Sequence, residues 1–359
     1  AARMSHLVIM AAGTGGHIMP GIAVAQEMQN RGWSVSWLGT LHGMENRLVP
    51  PHAIPMDVIR FSGMRGKGIM HGLVGAYHLL AAFWGCLRFL HRRGANAVLG
   101  MGGYVCLPGG LAAWLLRKPL VLVNADAKLL LSNRTLIPFA DRICFGFAGP
   151  DTQSIKRGVV TGNPVRAEIS AIADAGLRFA GREGPLHVLV IGGSLGAKVL
   201  NEVVPAAVGL LPEHVRPRIK HQCGSAALAE VQVAYRAAGL HAEVLPFIDD
   251  MASALAEADV VVCRAGAITI SELCAAGVAS VLVPLIVSTT SHQRDNAQWL
   301  AQRGGAVHLP QTELTARKLA DVLNGLTRDA LLAMANAARA SASANAAARV
   351  ADEIEKLTK

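Results

Sequence analysis

The chain has 359 residues, enough for two domains of roughly 160–180 residues each. Its 52% hydrophobic and 16% charged residues exclude a disordered chain; with 4% aromatics, the apolar fraction rests on Ala, Val, Leu and Ile, which suits buried parallel strands under small-residue helices. A formal charge of +9 points to an anionic partner: phosphate, nucleic acid or a membrane surface.

The first half opens with an apolar β-run at 7–10, the glycine turn Gly13-Thr14-Gly15-Gly16-His17 and a helix over 20–31. Pro20 suits a first helical turn, where its missing N–H would be unpaired anyway. Further strands are expected at 33–38, 97–99, 120–123, 142–145 and 158–160, with helices between them. The segment 70–90 is nearly long enough to cross a bilayer, but His71, His78 and Arg88 interrupt it and His91, Arg92 and Arg93 follow, so a core or surface helix is expected. The first half stops at Gly162-Asn163-Pro164, and a hinge plus a helix precedes Pro185. The pattern then restarts with a strand at 187–191, the turn Gly192-Gly193-Ser194-Leu195-Gly196 and a helix over 197–210. Strands at 218–222, 243–245, 260–263, 280–283 and 306–308 follow, with helices at 268–276 and 292–303 among the connections. An Ala-rich helix over 341–357 closes the chain and is expected to fold back on the first domain. The alternation argues for an α/β protein with parallel sheets, in domains 1–165 and 166–340.

The six cysteines include no C-x-x-C pair and the thirteen histidines no H-E-x-x-H, so neither a disulfide framework nor a zinc site is expected. No apolar leader opens the sequence, which favours a reducing, cytosolic setting. The basic residues are dispersed, without aromatic interleaving, so no nucleic-acid partner is expected.

A strand that runs into a glycine turn and then a helix creates an anion site, because glycines admit phosphate oxygens to the backbone and the first helical N–H groups point at them. Close helix–strand packing also selects glycine. Two such loops, one in each α/β half, favour a ligand held in a cleft between the halves. A dinucleotide fingerprint fits poorly: the first loop lacks its third glycine, and the next strand ends in Leu38-Gly39-Thr40 rather than an acid. In the second half, the run from Cys263 to Glu272 leaves the N–H groups of Ala267, Ile268 and Thr269 open to a diphosphate. Glu272, about one turn on, either accepts the hydroxyls of a ribose or simply suits a first helical turn. The cluster Ser291-His292-Gln293-Arg294-Asp295-Asn296 either caps a helix or reads sugar hydroxyls.

These segments together resemble the MurG family, the UDP-N-acetylglucosamine transferases that complete lipid II for bacterial peptidoglycan. The resemblance runs through Gly13-Thr14-Gly15-Gly16-His17, Gly39-Thr40 with Gly43 and Glu45, Ser62-Gly63-Met64-Arg65-Gly66-Lys67 and Gly100-Met101-Gly102-Gly103-Tyr104-Val105. It continues through Gly162-Asn163-Pro164-Val165-Arg166, the second glycine loop with Ala197, Pro246-Phe247-Ile248-Asp249-Asp250-Met251, the run from Arg264 to Glu272, and His292-Gln293 with Asn296.

The resemblance implies a GT-B fold, two Rossmann-like domains facing across a cleft, with the donor held mainly by the C-terminal one. It implies that Phe247 and Ile248 sit by the uracil, that Glu272 takes the ribose, and that Ser194, Arg264, Ala267, Ile268 and Thr269 surround base and diphosphate. Arg166 would reach the diphosphate, His292 and Gln293 the sugar hydroxyls, and Thr14, Gly15 and Gly16 would complete the donor site. Gly13, Tyr104 and Asn133 are implied on the acceptor side. The implied reaction is inverting transfer of GlcNAc to the 4-hydroxyl of undecaprenyl-diphospho-MurNAc-pentapeptide, lipid I. His17 is the first candidate for the base, since imidazole titrates near neutrality, or it positions the acceptor. No D-x-D motif is present, and neither a protein-ligated metal nor any other cofactor is expected.

The chain departs from the family where many members read His-Glu-Gln-Asn: here stand Val123-Asn124-Ala125-Asp126. Asp126 thereby becomes an alternative base or a partner for His17. Ala12 and Cys106 are smaller departures, at positions where glycine and serine are usual.

A lipid acceptor implies docking on the cytoplasmic face of the inner membrane. Phe83, Trp84, Leu87 and Phe89 with Arg88, Arg92, Arg93 and Arg117-Lys118 are candidates for an apolar patch ringed by cations on anionic phospholipid, unless the apolar ones pack inside. Other cell-wall synthesis and division proteins are possible partners on the same resemblance. The competing reading is a UDP-GlcNAc 2-epimerase, which shares the two-domain plan.

Overall fold

The computed structural model describes residues 4–13, 15–60, 69–193, 196–286 and 292–359, with the side chains of the helix that starts at Ile69 described from Gly75 onward. The chain divides into two compact units, Ala1–Val165 with Ser343–Lys359, and Arg166–Ala342.

The first unit is a seven-stranded sheet in the order β3-β2-β1-β4-β5-β6-β7. Its strands are β1 His6–Ala11, β2 Ser34–Thr40, β3 Met56–Ile59, β4 Ala97–Gly102, β5 Leu120–Asn124, β6 Arg142–Phe145 and β7 Gly158–Val160. The second is a six-stranded sheet, β10-β9-β8-β11-β12-β13. Its strands are β8 His187–Ile191, β9 Arg218–Gln222, β10 Ala242–Leu245, β11 Val260–Cys263, β12 Ser280–Leu282 and β13 Ala306–His308. The pairings of both sheets are parallel, as in β1 with β2 and β8 with β11.

Period-two alternation, with both faces of the sheet covered, explains why β1 is apolar from Leu7 to Ala11. Leu7, Ile9 and Ala11 face a core shared with Ile18, Ile22 and Val24 of helix α1 (Gly15–Asn30). Val8, Met10 and Ala12 face the opposite core, with Ala82, Cys86 and Leu90 of helix α3 (Ile69–Arg93) and Ala112 of helix α4 (Cys106–Leu115). Helix α2 (Glu45–Leu48) lies between β2 and β3. The closing helix, Ala346–Lys356, puts Val350, Ala351 and Ile354 into the α1 core. Arg31 then pairs with Asp352 at 2.7 Å and Glu355 at 3.1 Å.

Two expectations need correction. Helix α1 starts at Gly15, not at residue 20, so Pro20 lies in its second turn and leaves the Gly16 carbonyl without its usual N–H donor. Strand β3 was not foreseen, because Asp57 interrupts its apolar run; the carboxylate is 8% exposed and is neutralised by Arg92 at 2.5 Å and Arg93 at 2.7 Å. Among the described residues no helix is long and apolar enough to cross a membrane. The six cysteines are free and buried, and the surrounding apolar core pushes Cys86, Cys106, Cys144, Cys263 and Cys274 up to about 12.

Candidate functional site

In each sheet the strand order reverses beside the first strand of its unit, β1 or β8, and a glycine loop leaves that strand at its carboxyl end, where open α/β sheets bind ligands. In the first unit, His17 sits in the first turn of α1. Its ring rests on Gly102: a β-carbon there would come within 2.5 Å of Nδ1, and φ of +129° already favours glycine. Burial lowers the His17 pKa, while the nearby Asp126 carboxylate and the Met101 backbone push it back up. Asp126 is half-buried, and its charge acts on the His17 ring. Tyr104 is 44% exposed at the end of the β4 turn.

The loop that carries Asp126 is organised by Asn124, which sequence reasoning passed over. Its side chain is buried; Nδ2 donates to the carbonyls of Asp126 at 2.9 Å and Lys128 at 3.0 Å. Its Oδ1 accepts from Leu130 N–H at 2.9 Å and from Asn133 Nδ2 at 3.0 Å. Asn133, implied on the acceptor side, belongs to this network. It is 2% exposed, and its amide also donates to the Val123 carbonyl at 3.1 Å, so it braces the loop from inside.

In the second unit a cavity of about 590 Å³ is lined by Gly192, Gly193, Gly196, Arg264, Gly266, Thr269, Gln293 and Gln311, among others. The helix Ala267–Ala276 begins after Gly266, and its first internal bond runs from Ile270 N–H to the Gly266 carbonyl. The N–H groups of Ala267, Ile268 and Thr269 thus precede the helical ladder, the arrangement that receives phosphate. Arg264 is held half-buried by the Val283 and Pro284 carbonyls and by Gln311 Oε1 at 2.6 Å, and burial lowers its pKa.

Arg166 and Glu272 form a pair: Nε and Nη2 donate to Oε1 at 3.0 and 2.8 Å. Glu272 thus has one oxygen engaged by Arg166 within the protein. Burial pushes its carboxyl above the ordinary value, and Arg166 acts against that shift. Phe247 is 53% exposed, whereas Ile248 is buried. Of the two readings of the 291–296 cluster, the structure shows bracing for two residues. Gln293 Oε1 accepts from the N–H groups of Ala265 at 3.2 Å and Leu285 at 2.8 Å, and buried Asn296 donates to the Ala265 carbonyl at 3.0 Å. Both polar groups of the Ala265 peptide are so fixed, while His292 opens the helix His292–Ala301. Thr14, Ser194, Ser291 and the run Ser62-Gly63-Met64-Arg65-Gly66-Lys67 lie outside the described residues.

The candidate membrane face is smaller and differently composed than expected. Phe83, Leu87 and Phe89 pack against the α3–α4 core, and Arg92 and Arg93 are tied to Asp57. Trp84 is 68% exposed, joined along α3 by Tyr77 and Leu80 and from α4 by Leu115. Trp84, Leu87, exposed Arg88, His91 and Leu115 line a groove there.

Two doubly wound units with a glycine loop at each switch point, and a phosphate-ready helix start beside a nucleotide-sized cavity, define a nucleotide-sugar glycosyltransferase. Residues 7–145 match the glycosyltransferase family 28 N-terminal domain and residues 187–354 its C-terminal domain. The chain is 64% identical over 359 residues to the UDP-N-acetylglucosamine–N-acetylmuramyl-(pentapeptide) pyrophosphoryl-undecaprenol N-acetylglucosamine transferase of Methylibium petroleiphilum, covering 99% of this chain and 98% of the relative. It is 61% identical to the protein of that name from Chromobacterium violaceum, covering 98% of each. The crystal structure of Acinetobacter baumannii MurG matches with a TM-score of 0.85 at 38% identity, over 98% of this chain and 99% of that one. The chain belongs to the MurG family.

Proposed function

We infer that the protein transfers GlcNAc from UDP-GlcNAc to the 4-hydroxyl of lipid I, giving lipid II and UDP. The observation that carries this reading is the 590 Å³ cavity of the second unit, where a glycine loop, Arg264 and the open start of the helix Ala267–Ala276 converge. Positive charge and free N–H groups at one wall suit a diphosphate, and they stabilise the charge that develops on departing UDP. Arg166 adds a fixed cation, with Glu272 Oε2 as the ribose acceptor. Phe247 stacks by the uracil, and the Ile248 backbone reads its edge. His292 and the Gln293 amide nitrogen face the sugar.

The first unit supplies the acceptor chemistry. His17, kept neutral at pH 7 by burial, takes the proton of the attacking hydroxyl, and Asp126 stabilises the imidazolium that results. Gly13 and Tyr104 flank the acceptor. A single in-line displacement inverts the anomeric centre without a covalent sugar intermediate. The exposed Tyr77, Leu80, Trp84 and Leu115 with Arg88 form the face that meets anionic phospholipid on the cytoplasmic side of the inner membrane.

Purified protein incubated with radiolabelled UDP-GlcNAc and lipid I in mixed micelles should give labelled lipid II and one UDP per transfer. UDP-ManNAc produced from UDP-GlcNAc without any lipid would show a 2-epimerase instead.

A further inference from the structure

Glu45 carries a carboxylate that no step above uses. It stands at the start of α2, its side chain is 0% exposed, and among the described residues no cation pairs with it. Its partners are donors of the backbone and one hydroxyl. Oε1 accepts from Thr40 N–H at 2.7 Å and from the Thr40 hydroxyl at 2.8 Å, while Oε2 accepts from Gly13 N–H at 3.1 Å. The Met44 N–H meets the Gly13 carbonyl at 3.4 Å, so the 44–45 segment holds both polar groups of Gly13. The site is built around the carboxylate: a β-carbon on Gly43 would lie 1.9 Å from Oε2, and one on Gly39 would lie 2.8 Å from Cγ. Burying a carboxylate is costly unless hydrogen bonds complete it, so a fully enclosed one marks a place where its donors must be held. The donor held here is Gly13, at φ of +100°, from which the chain enters the His17 turn. On the other side of the loop, Ala12 N–H donates to the Gly102 carbonyl at 3.3 Å, beneath the His17 ring.

We propose that Glu45 is a positioning residue for the transfer reaction, setting the Gly13 peptide and through it the aim of His17 at the acceptor hydroxyl. The proposal rests on the acceptor-side reading of His17. A carboxylate accepts on both oxygens, whereas a glutamine amide would turn an NH₂ group toward either Gly13 N–H or the Thr40 donors.

The test compares wild type, Glu45→Gln, His17→Ala and the double variant in the lipid I assay, with a thermal melt of each. Glu45→Gln should lower kcat by about tenfold or more, the scale of one charge-assisted hydrogen bond, and leave the KM for UDP-GlcNAc within about twofold. In the His17→Ala background the same change should cost much less, because no base remains to be aimed. Glu45→Asp, which keeps the charge, should recover part of the rate. An unchanged kcat, or an equal loss in both backgrounds, overturns the proposal. If Glu45→Gln does not fold, Thr40→Val, which removes one of the three donors, takes its place in the same cycle, and an unchanged kcat there overturns it equally. Wild type that made no lipid II would defeat the transferase reading itself, a failure distinct from either.

Discussion

His17 is held between opposing influences on its charge. Burial lowers its pKa and Asp126 raises it. Asp126→Asn removes the raising influence, so the His17 pKa should fall further and the acid limb of kcat/KM should move to lower pH. The same change withdraws support from the imidazolium, and kcat should drop by about tenfold or more. A rate profile from acid to neutral pH checks both; an acid limb that stays in place would separate Asp126 from the His17 proton. On the donor side, Glu272→Ala should raise the KM for UDP-GlcNAc about tenfold with a smaller change in kcat, since a buried hydrogen-bonded acceptor is lost. Donor titration by calorimetry measures it directly, and unaltered affinity would place the ribose elsewhere. Residue type and local spacing were enough to single out His17, Arg264 and Glu272 as candidates. Pairing was not: Arg166 and Glu272 are 106 residues apart, and only the fold brings them to 2.8 Å. Asn124 was equally hidden, because its four hydrogen bonds all depend on how the loop that follows β5 turns back.

Helix α3 shows why an apolar run needs its period before it can be assigned a role. Ala82, Cys86 and Leu90 face the core, with Leu79, Phe83 and Leu87 packed beside them, while Tyr77, Leu80, Trp84, Arg88 and His91 line the exposed side. That is the three-to-four residue spacing of an amphipathic helix. The stripe continues onto α4 through Leu115, a neighbour the linear sequence could not supply. Replacing Leu80 and Trp84 by Ser should weaken binding to vesicles containing phosphatidylglycerol by about tenfold or more, because two large apolar side chains leave the bilayer. Activity on a short-chain soluble acceptor should be retained. Vesicle flotation is the measurement, and undiminished flotation of the double variant would move the membrane face away from α3. Strand β3 illustrates the opposite difficulty. Its Asp57 reads as a break in an apolar pattern until Arg92 and Arg93, at the far end of α3, are seen to neutralise it.

At the scale of the whole molecule, the buried histidines set how stability responds to acid. His221, on β9 of the second sheet, lies at 0% exposure, and burial lowers its pKa to about 4 from 6.5. In the neutral ring Nε2 donates to Asn201 Oδ1 at 2.9 Å, which leaves Nδ1 to accept from the Tyr235 hydroxyl at 2.7 Å. Asn201 in turn donates to the Cys223 carbonyl at 3.0 Å, and neighbouring Gln222 donates to the Gly193 carbonyl at 3.2 Å, so the network reaches the glycine turn after β8. Between pH 6.5 and about 4 the unfolded chain binds a proton at this residue that the folded chain refuses. Stability is therefore full above the unfolded value and falls as the pH drops, by about 2 kcal/mol at pH 5. Burial lowers His17 and His308 as well, in the same sense, whereas the raised Glu272 acts against them by holding its proton in the fold. The melting transition of unit Arg166–Ala342 should fall by about 4–8 °C between pH 7 and pH 5 through His221 alone. His221→Gln, less stable at pH 7 because the imidazole bonds are lost, should show a flatter dependence over that interval. Differential scanning calorimetry of both proteins at matched ionic strength provides the comparison, and parallel slopes would mean that protons enter the second unit elsewhere.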